Sequence, residues 1–252
     1  MSNGSTLYLQ LCRINYDMSY FSNPGFCPVC VQNVTFTATD DWFRDHYVCE
    51  SCGSIPRERA LMRVIESFYP AWQGLTIHET SPGGRGASTR LAKESTNYIP
   101  SHYFPDTAGG VFKSGFRCEN LEALSFADNS VDLHISQDVL EHIFNPELAF
   151  KEIARTLRPG GAHICTVPIV NKHKPTHRRA SMDAKGQITY LEDEQYHGNP
   201  VDAKGALVTF DWGYDICQKI HEASGMFTHL VQIDDLSNGI RAEYIDVLVS
   251  IK

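Results

Sequence analysis

The sequence has no apolar run long enough to cross a bilayer as a helix. It is also short of positive charge: 22 Lys and Arg face 30 Asp and Glu, a formal net charge of -8. That balance gives a nucleic-acid partner no electrostatic support, and a basic pair such as Arg178-Arg179 is too short to supply it. No membrane partner is expected. The opening residues, MSNGSTLYLQLCRINYDM, lack the basic start and apolar middle of a signal peptide. A cytoplasmic setting is therefore expected, and there disulfides are disfavoured, so eight cysteines need another reason.

Four of them are paired as Cys27-x-x-Cys30 and Cys49-x-x-Cys52. Each C-x-x-C turn aims two thiolates at one point, and two turns supply the four sulfurs of a tetrahedral zinc. Gly53 permits the tight turn after the second pair. Four thiolates leave no open position, so a structural zinc is expected rather than a catalytic one. A redox role for a single pair is the alternative. Cys118 and Cys165 lie in apolar, strand-like settings and are expected to be buried thiols; Cys12 and Cys217 are scattered. Before the knuckle, residues 1–24 show no clear period, although Leu7, Leu9 and Leu11 alternate.

The stretch that organises the remainder is VDLHISQDVLEHIFNPELAFKEIARTLRPGGAHICTVP, Val131 to Pro168. It reads as strand, polar corner, helix, stop and buried strand. Asn145 is placed to cap the helix, Pro146 suits its first turn, and Phe150, Ile153, Ala154 and Leu157 share a face. Arg158-Pro159-Gly160-Gly161 is expected to stop it, with the next strand running from Ala162 to Val167. This is the βαβ crossover of a parallel sheet. Upstream, Ser54-Ile55-Pro56 opens a helix to Tyr69 with Leu61, Val64, Ile65 and Phe68 inward and Arg57, Arg59 and Arg63 mostly off that face. Leu75 to His78 is a strand, Thr80 to Gly86 a glycine-rich loop, and a helix follows from about Ala87. Asn97–Ile99 and Phe116–Cys118 are further strands. The last helix starts at Asp211 or Trp212, and Phe227–Ile233 and Glu243–Ile251 alternate as two final strands.

The run DVLEHIFNPELAFKEIARTLRPGG followed by TVP resembles the second half of class I S-adenosylmethionine (SAM) dependent methyltransferases, within the methyltransferase type 11-like group. The resemblance covers roughly Leu75 to the C-terminus. It implies an α/β fold, a doubly wound mixed seven-stranded Rossmann-like sheet, here with a small N-terminal zinc-binding module. The implied divisions are 25–56 for the knuckle, 57–252 for the methyltransferase domain and 169–210 for a substrate-lid insertion. The implied cofactor is SAM, next to structural Zn2+.

The family pattern E/D-x-G-x-G-x-G is matched by Glu79 and Gly83, with Gly84 beside it; Ser81 and Arg85 stand where glycines are usual. Glu79, Ser81, Gly83 and Gly84 are thus candidate cofactor-binding residues. After the second strand the family's ribose-binding carboxylate is missing and His102 takes its place, able to accept one hydroxyl through a neutral ring nitrogen. Glu119, with Asn120, matches the adenine-side acidic position, and Gln137 or Asp138 is implied to lie over the cofactor. At the same corner Asp138, Glu141 and His142 fall at i, i+3 and i+4. In much of the group the Glu-His is structural or cofactor-side; in some relatives such a corner holds a divalent ion, which two carboxylates and an imidazole suit.

Residues 169–210 leave the core pattern, and so long an excursion is expected to be functional. Within it Tyr196-His197-Gly198-Asn199-Pro200 resembles an element of some bacterial methyltransferases associated with sugar pathways. His197 is a candidate general base, with His142 as a second. Thr176, His177 and Arg178 are either anion contacts or a solvated basic loop. The expected function is methyl transfer to an oxygen or nitrogen of a small-molecule or saccharide-type acceptor. Two alternatives stay open: a non-catalytic binding protein that retains the fold, and an RNA-modifying enzyme, against which the acidic balance speaks.

Overall fold

The computed structural model describes residues 19–199 and 203–252. Leu7, Leu9, Leu11, Cys12 and Pro200 lie outside the described residues. The chain begins with a hairpin, β1 (Phe21–Cys27) against β2 (Gln32–Ala38), then a short helix α1 (Phe43–His46) and β3 (Tyr47–Cys49), which pairs with β2. Each cysteine pair sits in a tight turn closed by backbone bonds, Val31 N–H to Cys27 O and Gly53 N–H to Cys49 O, both 2.8 Å. Helix α2 (Pro56–Phe68) starts at a proline, and the Glu58 carboxylate accepts the free Ile55 N–H at 2.9 Å. Leu61, Val64 and Ile65 are buried as expected, whereas Phe68 is partly exposed.

The large sheet is built from β4 (Thr76–Thr80), α3 (Gly86–Glu94), β5 (Asn97–His102), β6 (Phe112–Lys113), β7 (Phe116–Cys118), β8 (Val131–Gln137), α4 (Pro146–Thr156) and β9 (Leu157–Thr166). An insertion contributes three small ladders: β10 (His177–Arg178) with β15 (Phe210–Asp211), β11 (Ala180–Met182) with β12 (Ile188–Tyr190), and β13 (Tyr196–His197) with β14 (Ala206–Leu207). Helix α5 (Ile216–Ser224), β16 (Phe227–Val231) and β17 (Val247–Ile251) complete it. The strand order is β16-β17-β9-β8-β4-β5-β7-β6. Neighbours from β9 to β7 run parallel, and β17, β16 and β6 are antiparallel to theirs.

Four sequence expectations are corrected. The sheet has eight strands rather than seven, because Phe112–Lys113 turns back on β7 as a two-residue edge. The RPGG run lies inside β9, not in a loop between helix and strand: Gly160 N–H bonds Lys252 O at 3.0 Å, and Lys252 N–H bonds Gly161 O at 3.1 Å. The last strand, β17, therefore zips that segment into the sheet, between β9 and β16. The last helix begins at Ile216, because Phe210–Asp211 is paired with β10 and Trp212 is buried in the apolar core. Asn145 occupies the position before α4, but its side chain donates to Glu122 at 2.9 Å instead of capping.

Two apolar cores flank the sheet. One joins β4, β8, β9 and β17 to α2, α3 and the knuckle, with Phe36 and Tyr47 beside Leu61, Ile77 and Val247. The other packs α4 and α5 with Val167, Trp212 and Leu248. Arg59, expected off the apolar face, is fully buried: its guanidinium lies over Phe36 and Tyr47 and donates to Gly239 O, Tyr47 O and Ser54 O. Burial pushes it down to about 10. Cys118 and Cys165 are buried thiols. Among the described residues no helix is long and apolar enough to cross a membrane.

Three buried histidines, His78, His134 and His163, lie in register across β4, β8 and β9. His78 and His134 share a 2.8 Å Nδ1–Nδ1 hydrogen bond, and their outer nitrogens reach Ser101 and Thr156. Desolvation holds His78 down to about 3 and His163 down to about 4, and His134 well below the ordinary value. In the unfolded chain all three protonate near pH 6.5, so stability is present above that pH and is lost as pH falls toward 4. Each histidine contributes a slope of up to about 1.4 kcal/mol per pH unit in that window. His163→Gln, which keeps a donor for Ser136, is expected to shrink the slope by about that amount in urea unfolding at pH 7, 5.5 and 4.5; an unchanged slope would contradict the assignment.

Candidate functional site

The carboxyl ends of β4, β5 and β8 meet where the strand order reverses, since the chain proceeds outward through β5 and β7 and then returns to place β8 on the other side of β4. Glu79 lies in the middle of this edge. It is fully buried, and both oxygens are occupied: Ser88 Oγ at 2.6 Å, Gln137 Nε2 at 3.0 Å and Tyr98 O–H at 2.6 Å. Burial raises its carboxyl above the ordinary range despite the three donors. Glu79, expected at the cofactor, ties β4 to α3, β5 and β8 through these three bonds.

The loop rests on that carboxylate. Gly83 N–H donates to Ser88 Oγ at 3.1 Å, and Ser88 donates on to Glu79. Ser81 adopts φ +52°, the left-handed conformation usual for glycine, and its N–H bonds Ser101 O at 2.8 Å. Arg85 has φ -151°, which any residue adopts, and its Nε donates to Glu58 at 3.2 Å. Of the two replaced glycines only Ser81 is strained. Gly86 is required on both counts: φ is +64°, and a Cβ would lie 2.2 Å from the Glu58 carboxyl carbon.

An open pocket of about 400 Å³ lies beside this loop, with Gly83, Gly84, Ser88, Tyr98, His102 and Phe116 in its lining. His102 packs edge-on to Phe116 with centroids 4.3 Å apart, and desolvation lowers its pKa, so the ring is neutral near pH 7. The remaining expected cofactor residues have protein partners of their own. Glu119 is buried and accepts Arg117 Nε at 2.6 Å, Ser125 Oγ at 2.5 Å and Ser125 N–H at 2.8 Å. Asn120 accepts the Glu122 N–H at 2.9 Å. Asp138, at φ +52°, accepts Arg44 Nη2 at 2.6 Å, Arg57 Nε at 3.1 Å and Thr166 Oγ1 at 3.1 Å. Ser88, Tyr98 and Arg44 were not singled out in the sequence, and Arg57 was read only as lying off the apolar face of its helix; the role of each comes from a partner on another element.

The four paired cysteines converge. Cys27 and Cys52 sulfurs are 3.8 Å apart, Cys30 and Cys49 3.9 Å, and all four lie within 4.8 Å of one another. A tetrahedral ion with sulfurs at about 2.3 Å sets them about 3.8 Å apart, so the cage fits a thiophilic metal as it stands. Cys27 is pushed down to about 4, chiefly because Cys52 donates to it, while Cys30 and Cys52 rise.

On the other side of Gln137, the turn Leu140–His142 carries Glu141 and His142, and the inserted strand β13 brings His197 to them. His142 and His197 have ring centroids 5.1 Å apart and nearly perpendicular planes. Asp138 does not join this group. The insertion is pinned there by Thr209, which donates to Glu141 O and Ile143 O, and by Arg178, which donates to Phe144 O at 2.8 Å. His177 pairs with Glu192 and Thr176 with Asp215, so both are held by contacts of their own.

Residues 84–165 match a family model described as a methyltransferase domain. An uncharacterized methyltransferase from Mycobacterium sp. (strain JLS) is 30% identical over 112 residues, covering 39% of this chain and 44% of that protein. A ubiquinone biosynthesis O-methyltransferase from Parvibaculum lavamentivorans is 30% identical over 76 residues, covering 30% of this chain and 29% of that protein. The chain thus spans less than half the length of these curated relatives. Among solved structures, a SAM-dependent methyltransferase from Mesorhizobium loti aligns with TM-score 0.48 and 20% identity over 76% of this chain and 96% of that one. A Haloferax volcanii methyltransferase complex with the Trm112 activator aligns with TM-score 0.47 and 17% identity over 77% and 89%. Residues 84–165 are thus similar to a methyltransferase domain.

Ser81→Gly relieves the left-handed strain without touching a side-chain bond, and is expected to stabilise the protein by about 0.5–1 kcal/mol in urea unfolding. Destabilisation would show that the Ser81 side chain has a role the geometry does not reveal.

Proposed function

We propose that the protein is a SAM-dependent methyltransferase that methylates an oxygen or nitrogen of a small-molecule or saccharide-type acceptor in the cytoplasm. The observation that carries this is the pocket at the strand-order reversal, where the glycine loop, the first turns of α3 and the end of β5 meet. Gly83 and Gly84 admit a ligand close to backbone, and His102 and Phe116 offer a ring platform with a neutral imidazole for a ribose hydroxyl. SAM supplies a methyl group on a sulfonium, already a good leaving group. The chain's task is then to hold the acceptor in line and exclude water, and the insertion at 169–210 is read as the lid. A hydroxyl acceptor must lose its proton. His197, 38% exposed, is the candidate base, and His142 is the second, with Nδ1 bonded to Leu207 O at 2.9 Å and Nε2 left to accept. An amine acceptor with a free lone pair needs neither. The name of the ubiquinone-pathway O-methyltransferase relative supports the oxygen option.

A non-catalytic binding protein is the second reading, favoured by one finding: Glu79 and Glu119, the two carboxylates expected at the cofactor, each already accept three hydrogen bonds from protein donors. Calorimetric titration with S-adenosylhomocysteine separates the two. Micromolar binding that Gly84→Phe weakens at least tenfold supports the enzyme; a Cβ at Gly84 meets nothing within 4 Å, so the fold should persist. No binding by folded wild type would overturn the enzyme reading.

The cysteine cage is proposed to hold one structural zinc. Metal analysis should find about one zinc per chain, lost in the Cys27→Ser/Cys49→Ser double variant together with cooperative unfolding of the knuckle. A folded, zinc-free wild type would refute it.

A further inference from the structure

Glu141 presents an unresolved charge. Its side chain is 2% exposed, yet among the described residues neither carboxylate oxygen has a hydrogen-bond partner. Burying an ionised carboxylate without donors is costly, and native structures rarely tolerate it. What faces it are two imidazoles at distances too long for hydrogen bonds: His197 Nδ1 is 3.6 Å and His142 Nε2 3.8 Å from Glu141 Oε1. The three donors surround a gap and all lie within 4.8 Å of one another.

We propose that Glu141, His142 and His197 bind a divalent first-row metal ion, at a site separate from the cysteine cage. Ligands about 2.0–2.2 Å from an ion stand about 3.0–3.5 Å apart, so the two Glu141 separations of 3.6 and 3.8 Å shorten by a few tenths of an ångström on binding. The tautomer of His142 is already set: Nδ1–H donates to Leu207 O, which leaves the Nε2 lone pair facing the gap. One carboxylate and two imidazoles suit Mn2+, Fe2+, Co2+ or Zn2+ better than Ca2+ or Mg2+, and three protein ligands leave coordination positions open. His142 and His197 are 16% and 38% exposed, so those positions face solvent. The ligand set differs from the Asp138-Glu141-His142 trio suggested by sequence spacing, because Asp138 is taken by Arg44 and Arg57 and His197 arrives from the insertion.

The ion has a structural consequence. Glu141 and His142 belong to the core turn and His197 to the inserted hairpin, so coordination fastens the insertion to the carboxyl edge of the sheet. With the ion bound, the imidazole lone pairs are engaged and neither histidine serves as the base; use of the open positions to hold an acceptor oxygen rests on the methyl-transfer reading, and the ion site does not.

The test is titration with Mn2+ of wild type holding a single equivalent of zinc, at the cysteine cage, followed by electron paramagnetic resonance of free Mn2+ and by calorimetry. Mn2+ is a poor match for thiolates and leaves the cysteine cage alone. One Mn2+ per chain is expected. Glu141→Gln, which keeps the side-chain shape, and His197→Ala, on a half-exposed hairpin, should each weaken it at least tenfold with circular dichroism unchanged. Wild type that takes up neither Mn2+ nor Co2+, or variants that bind as wild type does, would overturn the proposal. S-adenosylhomocysteine titrated into the same samples shows whether the cofactor reading fails independently.

Discussion

The buried Glu79 carboxylate is the constraint on which the ligand edge depends. Strand β4 delivers it, and its three donors come from α3, β5 and β8, the elements that frame the pocket. A buried carboxylate without partners would be costly, so each donor is held in place by the penalty of leaving it unmet. The loop is fixed as a by-product: Gly83 hangs from Ser88, and Ser88 from Glu79. Such a network is preorganised before any ligand arrives. It also explains how the loop keeps its path with Ser81 and Arg85 in glycine positions, one in a strained conformation and the other extended.

The knuckle serves the same edge from outside. Its core is continuous with one face of the sheet, and Arg59 lies over the Phe36 and Tyr47 rings and donates to Gly239 O. Arg44 on α1 and Arg57 on α2 both reach Asp138, immediately after β8. Asp138 has a positive φ, a conformation that surrounding contacts must hold. Helices α1 and α2 are thus tied to the end of β8 by ion pairs through side chains that are mostly buried.

Local chemistry was legible in the sequence, and long-range partnership was not. The two C-x-x-C turns meet because each fixes its own geometry, and α2, α3 and α4 start where proline, glycine and apolar period place them. Spacing placed Glu79 on the correct strand but said nothing of Ser88 and Tyr98, whose hydroxyls consume it. The RPGG run looked like a loop because its pairing partner, Lys252, is the last residue of the chain. Arg59 looked solvent-facing because charge predicts exposure unless a stack of rings and carbonyls awaits it. His197 stood out as unusual, yet its neighbour Glu141 lies on an element that no periodicity connects to it.

The central claim is that the pocket beside Gly83 and Gly84 is a working cofactor site despite its altered loop. A crystal structure grown with S-adenosylhomocysteine tests it most directly. The account predicts density for the ligand against Gly83, Gly84, His102 and Phe116, with Glu79 still bonded to Ser88, Tyr98 and Gln137. An empty pocket at saturating ligand, or a ligand bound only after Glu79 has abandoned those partners, would contradict it.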